Sequence, residues 1–81
     1  MTVDAATAMR DALATIAPEV DLDDVAPADD LQEALDLDSM DFLNFLIALE
    51  KSTGVEIPES DYHLVHTYAG CHDYLVEHSD R

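Results

Sequence analysis

One serine of this chain stands where the backbone would tolerate a phosphate-bearing modification. Ser39 follows Asp38 directly, at the point where an amphipathic helix is predicted to begin. Asp38 suffices as the cap of that helix, which leaves the Ser39 hydroxyl in the first turn and facing solvent. A phosphodiester on this oxygen would lie over unpaired backbone amides at the positive end of the helix dipole. The arrangement favours a serine that another enzyme modifies, although capping alone is the commoner role of an Asp-Ser pair.

The same serine is poorly placed to act as a nucleophile. Together with a histidine and an aspartate it would supply the parts of a hydrolase triad. The glycines of the chain are Gly54 and Gly70, however, so a glycine-flanked nucleophile turn is absent. A domain of 81 residues also leaves little room for an enclosed active site, since it hides only about 60–65% of its unfolded surface. We predict no catalytic residue and no enzyme activity.

Metal and redox chemistry are weakly supported. The histidines are His63, His66, His72 and His78. The first two approach a zinc-ligand spacing, but no second pair matches, so we expect exposed or capping histidines near helix ends. A calcium loop starting at Asp21 fails, because Val25 and Ala26 occupy its fifth and sixth positions. Cys71 is the sole cysteine, which excludes an internal disulfide, and we expect it to be buried as a small apolar residue.

The charge of the chain restricts its partners. Asp and Glu number 19 against 3 Lys and Arg, for a formal net charge of −16. The basic residues are scattered, which disfavours nucleic acid and anionic membranes and favours basic protein surfaces. Neither a signal peptide nor an apolar stretch of membrane-spanning length is evident. We expect a monomer in the cytoplasm.

The apolar spacing predicts an all-α fold, a small four-helix bundle with three longer helices and one short one. We place it in a single domain over 1–81, with a core of about 5–77. The first helix is predicted from about Ala5 to Ala17, capped by Asp4 or Thr2. A long acidic connection over 18–38 follows, pinned by Val20, Leu22, Val25 and Leu31.

The remaining helices follow the connection. The second is predicted from about Ser39 to Thr53, with Gly54 as its terminator. A short third helix is predicted over about 59–64, after Pro58. The fourth is predicted from a Thr67 cap to about Glu77.

The helix that begins at Ser39 has two apolar faces. Its core face is formed by Phe42, Phe45, Leu46 and Leu49. A different side carries Met40, Leu43 and Ile47, edged by Asp38, Asp41 and Glu50. A helix in so small a domain cannot bury both faces, so the second is a candidate docking surface for a partner with a basic rim. The alternative is that the acidic connection folds over this side and buries it.

The run Leu35-Asp36-Leu37-Asp38-Ser39-Met40-Asp41-Phe42 resembles the attachment site of the acyl carrier protein family, whose core is Asp-Ser-Leu or Asp-Ser-Met opening a helix. The resemblance extends from about Leu13 to Leu75. It includes Ala48-Leu49-Glu50, then Gly54-Val55-Glu56-Ile57-Pro58, and the Thr67 start of the last helix.

The resemblance implies a carrier. A phosphopantetheinyl transferase would move 4′-phosphopantetheine from coenzyme A to Ser39, and the arm's thiol would then hold an acyl group as a thioester. Asp38 matches the position that helps bind the transferase's metal and orient the serine, and Met40 matches the usual leucine of the partner surface. The further partners implied are acyl- or aminoacyl-activating ligases and acyl-transferring enzymes.

Two positions depart from the family pattern. Asp36 stands where glycine is usual, which predicts a different backbone turn and a more negative local field. Asn44 replaces a usual glutamate of the partner-facing helix, which predicts altered partner choice. Met40 with the run Phe42-Leu43-Asn44-Phe45 is closer to stand-alone carriers, including some that accept activated amino acids. The cargo stays open between fatty acyl, polyketide and aminoacyl groups. The alternative function is an unmodified acidic module that binds a basic partner.

Overall fold

The computed structural model describes residues 4–79 of the chain. Its helices are α1 (Ala5–Ile16), a 3₁₀ turn (Leu22–Asp24), α2 (Leu31–Ala34), α3 (Ser39–Thr53), a 3₁₀ helix (Glu59–Leu64) and α4 (Tyr68–Ser79). The predicted all-α bundle is confirmed, since every regular element in this part of the chain is helical. None of these helices is both long and apolar enough to cross a membrane.

Helix α1 begins at a side-chain cap and packs through its predicted apolar face. Asp4 caps it, because its carboxylate accepts hydrogen bonds from the Thr7 amide at 3.2 Å and the Thr7 hydroxyl at 2.9 Å. Thr2, the other predicted cap, lies outside the described residues. Met9 and Leu13 of the predicted apolar face are buried, and α1 packs against α3 and α4.

The acidic connection between α1 and α3 is more ordered than its sequence indicates. It contains the 3₁₀ turn capped by Asp21 and the short helix α2 capped by Asp30, neither of which was predicted. Four residues are too few to produce a helical periodicity, and one capping aspartate is hard to recognise in an acidic run. The predicted apolar anchors behave as expected: Leu22, Val25 and Leu31 are buried, and Val20 packs against the core.

Helix α3 matches its predicted bounds and provides the centre of the core. Phe42, Phe45, Leu46 and Leu49 are all buried, as expected. Gly54 ends the helix with a left-handed φ of 75°, and its amide donates to the Glu50 carbonyl at 2.8 Å. Glycine adopts this conformation without the steric penalty of a Cβ, which explains the stop.

Helix α4 closes the bundle and holds the preceding 3₁₀ helix. The Thr67 hydroxyl accepts the Gly70 amide at 3.0 Å, which confirms the predicted cap. Tyr74 is buried, and its hydroxyl donates to the Asp61 carboxylate at 2.8 Å. This bond ties α4 to the 3₁₀ helix, none of whose residues is itself buried.

Candidate attachment site at the start of helix α3

The Ser39 hydroxyl is exposed at the first residue of α3. Asp38 caps the helix, and its Oδ1 accepts the Asp41 amide at 2.7 Å. Because the carboxylate performs the capping, the hydroxyl of Ser39 makes no hydrogen bond to any other described residue. The serine is therefore accessible to an enzyme that modifies its oxygen.

The backbone amides around Ser39 suit an anion. An α-helix leaves the first amides without intrahelical partners. Here Asp41 donates to the Asp38 carboxylate and Phe42 to the Asp38 carbonyl, at 2.7 and 3.0 Å. The amides of Ser39 and Met40 have no partner within residues 4–79. They lie at the positive end of the helix dipole, where a phosphate group is favoured.

The second apolar face of α3 is open to solvent. Met40 is 66% exposed and Ile47 is 38% exposed, whereas Leu43 is half-buried. The acidic connection therefore does not fold over Met40 and Ile47, and the predicted alternative is wrong for these two residues. The connection's own aliphatics Leu22, Val25 and Leu31 are buried in the core instead.

The polar residues of this face differ in their exposure and in their hydrogen bonds. Asn44 is exposed, Asp41 is half-buried, and Asp38 is exposed although it caps the helix. Glu50 is half-buried, and its Oε2 accepts the Ile57 amide at 3.0 Å. One oxygen of Glu50 is thus already used to hold the chain that follows α3, a role that its position on the helix did not reveal.

Asp36 occupies an unusual backbone conformation. Its φ is 55°, in the left-handed region that favours glycine, and it is the only non-glycine residue with positive φ in the described part of the chain. Aspartate tolerates this region better than most residues. Asp36 therefore adopts a conformation suited to glycine while adding a carboxylate three residues before Ser39. It lines a surface cavity of about 430 Å³ together with Asp30, Gln32, Glu33 and Leu37.

The position of His66 differs from the predicted exposed or capping one. Its ring stacks on the Phe42 ring with centroids 5.2 Å apart and planes within 8°, and its Nδ1 is buried. His63 and His78 are exposed, and no group of three metal-binding side chains converges among residues 4–79. Cys71 is fully buried, as predicted, and burial raises the pKa of its thiol to about 12.

A helical bundle that presents a free serine at a capped, acid-edged helix start defines a carrier-type domain. The family model described as "Phosphopantetheine attachment site" matches residues 7–69 of the chain. The acyl carrier protein of Rubrobacter xylanophilus is 36% identical over 59 residues, which are 73% of this chain and 73% of that protein. The acyl carrier protein of Lactobacillus acidophilus is 32% identical over 60 residues, which are 74% of this chain and 75% of that protein. The chain belongs to the acyl carrier protein family.

Membership of this family implies a covalently bound 4′-phosphopantetheine. The start of α3 fits such a group, because it offers an exposed hydroxyl and two amides that have no hydrogen-bond partner among residues 4–79. Nearby carboxylates raise the local negative charge, and the positive end of the helix dipole offsets part of it for a phosphate group.

Proposed function

We propose that Ser39 carries the 4′-phosphopantetheine and that the chain is a carrier without a catalytic residue of its own. The observation that supports this most is the Ser39 hydroxyl, which is exposed and unpartnered because Asp38 alone caps α3. The group supplies a terminal thiol that holds the cargo as a thioester. The chain's own contribution is to present the serine to the transferase and the loaded arm to partner enzymes.

We further propose that partner enzymes dock on the start and exposed side of α3. The apolar contacts are Met40, Leu43 and Ile47, and the polar ones are Asp41, Asn44 and Glu50. Such a surface suits an apolar groove with a basic rim, and the net charge of −16 would speed the encounter at low salt. Asp38 has two roles in this account: it caps the helix and positions the serine beside the transferase's metal.

The cargo that we propose is an acyl or aminoacyl group, delivered by an activating ligase. Met40 and Asn44 are both exposed. Asn44 supports binding to partner enzymes that do not require a glutamate at position 44. We propose that residues 1–81 form one carrier domain that acts as a monomer. A panel of acyl- and aminoacyl-activating ligases, each supplied with its acid, ATP and the phosphopantetheine-bearing protein, would identify the cargo by the mass added when the arm's thiol becomes a thioester and AMP is released.

The attachment residue is tested by intact mass after incubation with coenzyme A, Mg²⁺ and a broad-specificity phosphopantetheinyl transferase. Wild type should gain one phosphopantetheine, and Ser39→Ala should gain none. Ser52→Ala is the matched control, because Ser52 lies in the last turn of the same helix, and it should load like wild type. If folded wild type gained no mass with this transferase or a cognate one, the unmodified acidic module would be the better account.

A further inference from the structure

The Nδ1 atom of His66 lacks a partner in an otherwise well-satisfied interior. Among the described residues it is the only buried side-chain nitrogen or oxygen without a hydrogen bond. Buried polar groups in proteins are nearly always paired, and an unpaired one is disfavoured because it has lost its contact with water. The chain has 19 acidic residues, yet none of the described ones bonds this atom.

The position of His66 connects this atom to the attachment site. Its ring lies flat against Phe42, with centroids 5.2 Å apart. Phe42 is three residues after Ser39, about 4.5 Å along the axis of α3 by helix geometry. The backbone of His66 is also fixed, because its carbonyl accepts the Leu31 amide at 2.7 Å. The ring of His66 is therefore held against Phe42 in the first turn of α3, the turn that begins at Ser39.

The chemistry of the missing partner follows from the imidazole. In the neutral ring Nδ1 is either a hydrogen-bond donor or an acceptor, depending on the tautomer. A secondary amide offers an N–H and a carbonyl together, so it can pair with either form. The phosphopantetheine arm contains two such amides.

We propose that His66 Nδ1 hydrogen-bonds an amide of the phosphopantetheine arm when the arm folds back along the first turn of α3 beside Phe42. This inference rests on the proposed attachment at Ser39. His66 is then a positioning residue that gives the arm a resting site on the carrier itself. A carbonyl of the cargo would also accept a hydrogen bond from the tautomer that carries the proton on Nδ1, and the experiment distinguishes the two sources.

The test compares the imidazole ¹⁵N spectra of the apo protein with those of the loaded protein that bears a free thiol, at a pH where imidazoles are neutral. Loading is first verified by intact mass. The Nδ1 resonance of His66 should move on loading by more than those of His63, His72 and His78. An unchanged His66 resonance in a protein of verified loaded mass would overturn the inference and leave the attachment at Ser39 standing.

Two further results would also overturn it. One is an Nδ1 resonance that already shows a hydrogen bond in the apo protein, as an ordered water would produce. The other is a shift that occurs only after an acyl group is added, which would assign the partner to the cargo. A failure of wild type to gain mass would instead contradict the proposed function, and the two failures are thus distinguishable.

A variant pair extends the test to the arm. His66→Phe keeps an aromatic ring against Phe42 but removes the nitrogen, and His63→Phe changes an exposed histidine of the preceding 3₁₀ helix. With an isotope-labelled arm, an arm amide resonance should return toward its value in free pantetheine in His66→Phe only. Identical arm spectra in the two loaded variants would contradict the proposal. If His66→Phe does not fold, the wild-type comparison decides alone.

Discussion

The two ends of helix α3 are both capped by hydrogen bonds, but they leave different numbers of polar groups without a partner. At the C-terminal end the polar groups are paired: Gly54 donates to the Glu50 carbonyl, and the Thr53 hydroxyl donates to the Leu49 carbonyl at 2.6 Å. The same hydroxyl accepts the Val55 amide at 3.1 Å. At the N-terminal end one carboxylate, that of Asp38, forms the cap and leaves a hydroxyl and two amides unpaired.

This difference separates a structural end from the end at which we propose that the arm is attached. The C-terminal end directs the chain into the segment that packs beneath α4, so its groups are used within the fold. The N-terminal end keeps amides and a hydroxyl without protein partners. Exposure of these groups to water destabilises the fold little, and the same groups suit an incoming phosphate. Changes at the C-terminal end should therefore lower stability, whereas changes at Ser39 should affect loading.

The largest stability effect among these tests is expected at Gly54. Gly54→Ala should lower the free energy of unfolding by about 1–2 kcal/mol, because φ is 75° and an L side chain is strained there. A Cβ would meet no atom within 4 Å, so crowding does not contribute. Urea denaturation measures the loss, and Gly54→Asn should lose less because asparagine tolerates this conformation. Equal losses in the two variants would contradict a conformational cause.

A smaller loss is expected at the opposite end. Asp38→Ala should lower the free energy of unfolding by about 1 kcal/mol, because the Asp41 amide loses its cap. Asp38→Asn retains a capping oxygen and should keep most of that stability while losing the charge. If the two variants unfolded at the same urea concentration, the cap would not be what holds this end.

The Tyr74 hydroxyl makes stability depend on alkaline pH. Burial, followed by the hydrogen bond to Asp61, raises the pKa of Tyr74 from 10.0 to about 12. Because the neutral form is favoured in the folded state, this contribution is intact below pH 10.0 and lost as the pH rises toward about 12.

Urea titrations across this range should show a steeper loss of stability in wild type than in Tyr74→Phe. The Cys71 thiol, with its pKa raised from 9.0 to about 12, should supply the slope that remains in the variant. Cys71→Ala isolates that part. Parallel curves for wild type and Tyr74→Phe would mean that Tyr74 ionises as freely in the folded protein as in the unfolded one.

The smallest effect is expected at Asp36. Asp36→Gly relieves the left-handed strain but adds freedom to the unfolded chain, so the two changes should cancel to within about 0.5 kcal/mol. Asp36→Ala gives no such relief and should lose about 1 kcal/mol. Thermal unfolding at matched salt measures both. A clear loss in Asp36→Gly would show that the carboxylate itself stabilises the turn.

Local signals predicted α3 well, and tertiary contacts explain what was missed. Asp38 and Gly54 mark the helix ends through chemistry confined to a few residues, so its bounds could be read from the sequence. The exposed Met40 followed from the geometry of two apolar faces. The proposed attachment residue was identified from a motif, and its free hydroxyl was expected because Asp38 is a separate cap.

The missed features depend on residues that are distant in sequence. The Tyr74 hydroxyl donates to Asp61, 13 residues away in another element. The stacking of His66 on Phe42 joins the loop before α4 to helix α3. The left-handed backbone of Asp36 has no marker in its residue type, since aspartate is common in ordinary turns as well.

The central claim is that the open end of α3, and no other serine, receives the arm. Peptide mapping of the loaded wild-type protein by tandem mass spectrometry tests it most directly, because Ser39 and Ser52 lie at opposite ends of one helix. The phosphopantetheine should be found wholly on the peptide that contains Ser39, with Ser52, Ser60 and Ser79 unmodified. Phosphopantetheine on Ser52, Ser60 or Ser79, or loading that persists in Ser39→Ala, would contradict the account.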